Sequence, residues 1–158
     1  RDRSVSRGLG DVYKRQGVDR TTRSTSAVLG KGAKIVVRER IMTDGDEEAV
    51  TKFHVELNGE DSGADLVSRS VARGNSHQAF YSVVEGNNRC TGHSACDAIL
   101  ADNGKVDAQP ALNAANVDAA LIHEAAIGKI AGEQILKLCS LGLTREEAEE
   151  KIIEGFLK

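Results

Sequence analysis

The stretch that decides the fold is VDAALIHEAAIGKIAGEQILKLCSLGLTREEAEEKIIEGFLK, residues 117–158. Its first part has a strand-like pattern rich in small residues, and after Gly128 the pattern becomes helical. The ionisable pair His123 and Glu124 lies just before this change. A functional site or a partner surface is expected where one architecture ends and another begins, although many histidines at such junctions only cap or pack.

Two short amphipathic helices are predicted after the change. Ile135, Leu136 and Cys139 share one face of the first helix, which ends at Gly142. The second helix begins at Thr144 with a T-x-x-E capping box, and its first half is rich in glutamate, as the helix dipole favours. Two interpretations stay open: the helices cap the open end of the strand architecture, or they also present a docking surface.

From about residue 27 the chain repeats a simple unit, a strand-like run followed by a short polar or glycine turn. Several runs alternate apolar and polar residues, and the starts of successive runs are narrowly but irregularly spaced. This spacing predicts an all-β chain and favours a stacked solenoid, with a meandering antiparallel sheet as the alternative. The runs are residues 33–41, 51–59, 64–72, 78–86, 93–102, 106–115 and 117–126.

The composition predicts a narrow interior. The 158 residues include three Phe, two Tyr and no Trp, so Val, Ile, Leu and Ala must build most of the core. Small inward residues suit coils that stack about 4.8 Å apart. Pro110, the single proline, cannot donate a ladder hydrogen bond, so its run is predicted to be an edge or a turn.

Several function classes have little support. The chain has no Walker A, G-x-S-x-G, H-E-x-x-H or G-x-G-x-x-G motif, so enzymatic chemistry is not indicated. A net charge of −3 argues against nucleic-acid binding. No apolar run approaches the roughly 20 residues that cross a bilayer. Three cysteines without a CxxC pair indicate free thiols in a reducing cytoplasm.

The first sixteen residues, RDRSVSRGLGDVYKRQ, differ from the rest. They carry five basic and two acidic side chains and show neither strand nor helix periodicity. Residues 1–16 are therefore predicted to be a non-native or disordered tail, and are left out of the fold.

Soft-metal ligands are the remaining candidates for chemistry. Cys90, His93 and Cys96 form a C-x2-H-x2-C pattern that can place ligands on one side of a loop, but no fourth ligand is evident locally. The alternative is that both thiols pack as small buried residues. Cys139 lies on the apolar face of a helix and is expected in its core.

The adjacent pair His123 and Glu124 must point to opposite faces if it lies on a strand. One of the two is therefore expected to be structural and the other exposed. His54 and His77 occupy strand-turn positions and are expected at the surface.

Residues 95–156 resemble the C-terminal part of the SufB/SufD family of iron–sulfur cluster assembly proteins. The resemblance is carried by the CDAIL run, the HEAAIGKI segment, the L-x-S-L-G-L turn and the final IIEGF. The weaker strand repeats extend it back to about residue 27. The chain is most similar to short SufB-like members and is identified as a C-terminal fragment of one.

The resemblance implies a right-handed β-helix core over residues 17–127, truncated at its N-terminus, and a C-terminal helical subdomain over residues 128–158. It implies a non-enzymatic scaffold of the cytoplasmic SUF system. The expected partners are a SufC-type ABC ATPase docked on the helices and a second SufB/SufD-type subunit paired through the β-helix end. Neither nucleic acid nor a membrane is an expected partner.

The resemblance also implies the site residues. Cys96 matches the family's functional cysteine, Glu124 matches the functional glutamate of SufB, and His123 matches the functional histidine of SufD. These three are predicted to ligate the metal of a transient, nascent iron–sulfur cluster, and thiolate, imidazole and carboxylate all suit iron. Cys90 has no secure counterpart.

Cys96 and His123 lie on strand runs that are separated by one intervening run. If each run is one coil, the two residues lie about 10 Å apart along the axis. Because that is too far for one small cluster, a site shared between two subunits is predicted, in a homodimer or a pair with a related subunit.

Two other functions are alternatives to the scaffold. A solenoid interaction module would dock a partner through its helices without holding a cluster. A β-helix carbohydrate-active enzyme would need clustered carboxylates and aromatic sugar platforms, which this composition disfavours.

Overall fold

The computed structural model describes residues 18–158, so the predicted tail over residues 1–16 lies outside the described residues. The described chain forms eight strands followed by two helices. The strands are β1 (Arg20–Leu29), β2 (Lys34–Thr43), β3 (Glu48–Leu57), β4 (Ser62–Ala72), β5 (His77–Gly86), β6 (Cys90–Leu100), β7 (Lys105–Ala114) and β8 (Ala119–Gly128), and the helices are α1 (Gly132–Ser140) and α2 (Arg145–Phe156).

The strands form two parallel four-stranded sheets, the odd sheet β1-β3-β5-β7 and the even sheet β2-β4-β6-β8. Each coil therefore contributes one strand to each sheet, and eight strands make four coils. Register partners are one coil apart, at a sequence separation of 28 for Asp65 and His93 and of 29 for Glu39 and Ser68. The predicted β-solenoid is confirmed, and the antiparallel meander is wrong because the sheet pairings in the described chain are parallel.

Strand β1 was missed by the sequence analysis. Its sequence, RTTRSTSAVL, is rich in Ser and Thr, and most of its side chains are exposed. Among the described strands it lies at the edge of the odd sheet and pairs only with β3. Without burial to require apolar alternation, the pattern that marks the other strands is weak here.

The core lies between the two sheets and is densest in the middle coils. Phe53, Leu57 and Leu66 are at most 2 % exposed. Phe53 meets Phe80 edge to face, with ring centroids 5.8 Å apart, a favourable aromatic geometry. The expected aliphatic interior is thus supplemented by two of the three phenylalanines.

Several buried hydroxyl groups at inward positions form pairs. Ser82 and Ser94, both fully buried, lie on opposite sheets with their Oγ atoms 2.9 Å apart. The hydroxyl groups of Thr43, at the end of β2, and Ser76, just before β5, pair at 2.8 Å. Pairing of this kind removes the cost of burying an unsatisfied hydroxyl. The small side chains allow the two sheets to approach each other.

Pro110 is on an edge strand, as predicted. It lies in β7, the last strand of the odd sheet, and is paired in register with Ser82 on β5. The open side of β7 has no strand that would need a donor from position 110.

The first helix ends and the second begins where the sequence predicts. Thr144 Oγ1 accepts from the Glu147 amide at 3.2 Å, and Glu147 Oε2 accepts from the Thr144 amide at 2.8 Å, which completes the capping box. Gly142 follows α1 with φ at +99°, a conformation that glycine adopts without strain. Cys139 is only half-buried, so the expectation that it lies in the core is wrong.

The prediction that the helices cap the open end of the solenoid is wrong. The C-terminus returns to the outer side of the even sheet, where the Arg40 guanidinium donates to the Lys158 carbonyl and Arg69 lies 6.0 Å from the centre of the Phe156 ring. Leu112 and Ile127, on the last coil, stay exposed. The long arginine side chains on the outer face of the even sheet provide the contacts that hold the C-terminal end of the chain there.

We predict that Phe53→Ala lowers the free energy of unfolding by about 3–5 kcal/mol, because it removes a buried aromatic contact and leaves a cavity. Urea denaturation followed by circular dichroism measures this change. Val28→Ala is the matched control, because Val28 is 68 % exposed and its truncation should change stability by no more than about 0.5 kcal/mol. Equal effects of the two variants would contradict the position of the core.

Candidate functional site

The last coil forms an open end of the solenoid. Strands β7 and β8 are the outermost strands of their sheets, and residues 109–115 and 124–129 are exposed. An edge strand presents unpaired backbone donors and acceptors, which favours pairing with another chain. The residues predicted as site ligands lie on β8 and on β6 beneath it.

Cys96 is inside the solenoid. It lies on β6, is 1 % exposed, and packs in the hydrophobic core. Burial raises the pKa of the Cys96 thiol to about 11, with smaller contributions from the Asp97 and Glu39 carboxylates. The side chain is therefore a protonated thiol at neutral pH. It lies one strand below the open end, in register with Ala125 on β8.

His123 also faces inward, from the last strand. It is in register with Ser94, two residues before Cys96, and its two ring nitrogens are buried without a hydrogen-bond partner of good geometry among residues 18–158. Burial, reinforced by the neighbouring His93, lowers the pKa of the His123 ring. Burial thus favours the neutral imidazole, whose nitrogens make no hydrogen bond of good geometry within residues 18–158.

Glu124 lies on the opposite face, as strand geometry predicts for adjacent residues. Its side chain is 71 % exposed on the outside of the even sheet, and its Oε2 atom lies 3.5 Å from His93 Nε2. The prediction that one member of the pair is buried and the other exposed is confirmed, with His123 inside and Glu124 outside.

A charged row runs across the outside of the even sheet toward Glu124. The Arg38 guanidinium donates to the Asp65 carboxylate, and His93 Nδ1 lies 2.9 Å from Asp65 Oδ1. The Arg38 contact holds the pKa of Asp65 below its usual value. The Asp65 hydrogen bond, with a smaller contribution from Glu124, raises the pKa of His93. The row Arg38–Asp65–His93–Glu124 thus places one residue from each coil next to its neighbour.

The sequence analysis did not find this row. Its members are far apart in the chain, and only the pairing of β4 with β6 brings Asp65 next to His93. A search for polar residues that recur at the coil period would have found this central pair. The predicted C-x2-H-x2-C ligand set is wrong, because Cys90 and Cys96 point inward while His93 points outward. The packing interpretation of the two thiols is confirmed by their burial.

The predicted axial separation of Cys96 and His123 is also wrong. Their strands, β6 and β8, are direct neighbours in the even sheet, because the intervening β7 belongs to the odd sheet. One strand spacing of about 4.8 Å therefore separates them along the axis. Distance alone no longer requires a second subunit.

The three predicted ligands are divided between two faces. Cys96 and His123 lie inside and Glu124 lies outside, and residues 18–158 contain no group of three or more His, Cys, Asp or Glu side chains arranged to hold a metal ion. Their role as cluster ligands stays a prediction. His54 and His77 are at the surface as expected, 3.2 Å from Glu85 and 2.7 Å from Asp107.

Another buried ionisable group, Glu39, lies in the first coils. Glu39 is 6 % exposed and accepts hydrogen bonds from Thr51 and Ser68, both at 3.0 Å, with Arg23 at 3.5 Å. Burial raises the pKa of Glu39, and these partners only partly oppose it. Glu39, Ser68 and Cys96 occupy one register column inside the even sheet.

These features define a class of protein, a short parallel β-solenoid with ionisable side chains at an open end and a helical pair on its side. No helix within residues 18–158 combines the length and the apolar character that a bilayer span requires.

Comparison with known proteins identifies the family. The family described as SUF system FeS cluster assembly, SufBD core domain, matches residues 15–156. An iron–sulfur cluster assembly SufBD family protein of Archaeoglobus fulgidus is 38 % identical over 125 residues, which cover 78 % of this chain and 32 % of that protein. SufBD family proteins of Methanothermobacter thermautotrophicus (strain Delta H) and Pyrococcus horikoshii are 33 % and 32 % identical, over 84 % and 83 % of this chain and 33 % and 40 % of theirs.

The chain therefore belongs to the SufBD family of the SUF iron–sulfur cluster assembly system. It spans about a third of the length of the curated relatives it matches. The expected family membership is confirmed.

We predict that thiol labelling will separate the three cysteines. Cys139 should react first with a thiol reagent in the folded protein, because it is only half-buried, whereas Cys90 and Cys96 are buried and buried thiols react slowly. Mass spectrometry of labelled peptides before and after urea unfolding gives the order. Fast labelling of Cys96 in the folded protein would contradict its position in the core.

We predict that Glu39→Gln stabilises the protein at neutral pH relative to the wild type. A carboxyl group whose folded-state pKa is raised binds its proton more tightly in the folded state, so its contribution is lost as pH rises through that pKa. The advantage of the variant should therefore be absent at low pH and grow above the unfolded-state value of about 4.5. Urea denaturation across pH measures it, with Glu150→Gln on exposed helix α2 as control. An advantage independent of pH would contradict the ionisation argument.

Proposed function

We propose that this chain is a scaffold subunit of the cytoplasmic SUF system, supporting nascent iron–sulfur cluster formation with a SufC-type ATPase and not itself catalytic. The observation that carries the proposal is the composition of the open end. The inward His123 ring has unused nitrogens, the outward Glu124 is exposed, and the Cys96 thiol lies one strand beneath.

The chemistry of these groups suits iron and sulfide as substrates. Thiolates are the usual ligands of iron–sulfur clusters, and imidazole and carboxylate also bind iron. Cys96 must lose its proton first, and its raised pKa opposes this step. Metal binding itself favours the thiolate, because ligation and deprotonation are coupled. Cys96 is 1 % exposed, and its register partner on the last strand is Ala125, so cluster formation would need the last coil to open.

The two predicted partners fit different surfaces. A second SufB/SufD-type subunit fits the open end, where paired edge strands would cover β7 and β8. The ATPase fits the helices, where Leu136 is 70 % and Leu141 is 73 % exposed, each a large apolar side chain in water.

One observation favours the alternative, a solenoid interaction module that docks a partner through its helices without holding a cluster. Cys96 is buried in the core with a pKa of about 11, as expected for an inert packing thiol.

Anaerobic reconstitution with iron and sulfide separates the two functions. For a scaffold, Cys96→Ala should lose most of the iron–sulfur absorbance, while Cys139→Ala, on the helix, should keep it. Circular dichroism confirms that both variants are folded. Wild-type absorbance in folded Cys96→Ala would remove Cys96 from the mechanism, and the absence of any cluster in the wild type would favour the module.

A further inference from the structure

His93 lies between two carboxylates with one ring nitrogen facing each. Its Nδ1 atom is 2.9 Å from Asp65 Oδ1, a hydrogen-bond distance. Its Nε2 atom is 3.5 Å from Glu124 Oε2, beyond the usual range of about 2.7–3.2 Å for N–H···O bonds. Asp65 therefore fixes the ring and its Nδ1 proton, and Nε2 faces Glu124 in an ion-pair contact longer than a normal hydrogen bond.

The distance between His93 Nε2 and Glu124 Oε2 is close to that between two ligand atoms bound to the same metal ion. Two ligand atoms each about 2.1 Å from a tetrahedral ion lie about 3.4 Å apart. The 3.5 Å between His93 and Glu124 is close to this value. Both side chains are accessible, at 38 % and 71 % exposure, so water or a partner's groups can fill the remaining positions.

The supporting residues follow a recurring arrangement of metal sites. A histidine ligand usually donates its second N–H to a carboxylate, which fixes the tautomer and raises the basicity of the ligating nitrogen. Asp65 takes this place, and Arg38 holds Asp65 in turn. Because Asp65 is already paired with a cation, it stays in this orienting role, while Glu124 is free to bind.

We propose that His93 Nε2 and the Glu124 carboxylate form a surface site for a divalent transition-metal ion, with Asp65 as the positioning residue. The ion takes the place of the Nε2 proton, which leaves to solvent. The site lies outside the solenoid, separate from the Cys96 thiol. That the physiological ion is iron(II), waiting to be loaded into a cluster, rests on the proposed function.

The chain provides matched controls. His77 lies 2.7 Å from Asp107, and His54 lies 3.2 Å from Glu85, both at hydrogen-bond distance and both on the odd sheet. These pairs have the same chemistry as His93 and Glu124 but leave no gap for an ion.

The test is an anaerobic titration of the untagged protein with Co²⁺, without sulfide, followed by its visible absorption and by calorimetry. The wild type and His77→Gln should show the same site. His93→Gln should lose it, and Asp65→Asn should weaken it by about 10- to 100-fold, the usual effect of removing an orienting carboxylate. Unchanged Co²⁺ binding in His93→Gln, or equal loss in His77→Gln, would overturn the site.

A second measurement needs no variant. Zn²⁺ added to the wild type should shift the His93 Nε2 resonance far more than Nδ1 in a ¹⁵N spectrum of the histidine rings. A larger shift at His54 or His77 would overturn the site even if a variant failed to fold. Cluster reconstitution with His93→Gln then tests the link to function: loss of Co²⁺ binding with wild-type cluster yield upholds the site and overturns its role in iron loading.

Discussion

In-register stacking of parallel strands, each coil directly above the one before it, is the constraint on which the rest of the structure depends. Each side chain lies above its partner from the coil below, so columns of residues run along the axis. Because successive residues on a strand alternate between faces, a one-residue slip would exchange the inside and the outside of a whole strand. Such a slip in β8 would bury Glu124 and expose His123.

The two faces of the even sheet differ in their electrostatics for this reason. Inside, little water reaches the groups, so the neutral forms of the Cys96 thiol and the His123 ring are favoured. Outside, the Arg38 contact lowers the pKa of the Asp65 carboxyl, and the Asp65 hydrogen bond raises the pKa of the His93 ring. The neutral groups inside the sheet, Cys96 and His123, come closest to the charged row outside it at the open end, because His123 and Glu124 are adjacent on β8. It is there that a thiol, an imidazole and carboxylates are brought to one edge of the fold.

Much of the fold follows from local signals in the sequence. The strand runs after residue 33, the capping box at Thr144 and the edge position of Pro110 each depend on backbone chemistry that acts over a few residues. The family resemblance rested on such short segments too. Strand β1 was not predicted, because an exposed edge strand needs no alternation of apolar and polar residues.

The arrangement of the candidate site depends on the number of strands in each coil, which no short stretch of the sequence reveals. Spacings between runs do not say whether a coil holds one strand or two, and the assumption of one strand misplaced Cys96 relative to His123. The contact of Asp65 with His93 was not predicted for the same reason, because the two residues are 28 positions apart and meet only when successive coils stack. Once two strands per coil are known, register assigns each site residue to a face.

The most direct test is the pattern of nuclear Overhauser effects between backbone protons of neighbouring strands in solution. Stacked two-strand coils predict cross-strand effects that link Cys96 to the neighbourhoods of Ser68 and Ala125, its register partners on either side. Ladder effects that pair β6 with β5 or β7 instead would contradict the stacking, and with it the placement of every residue at the open end.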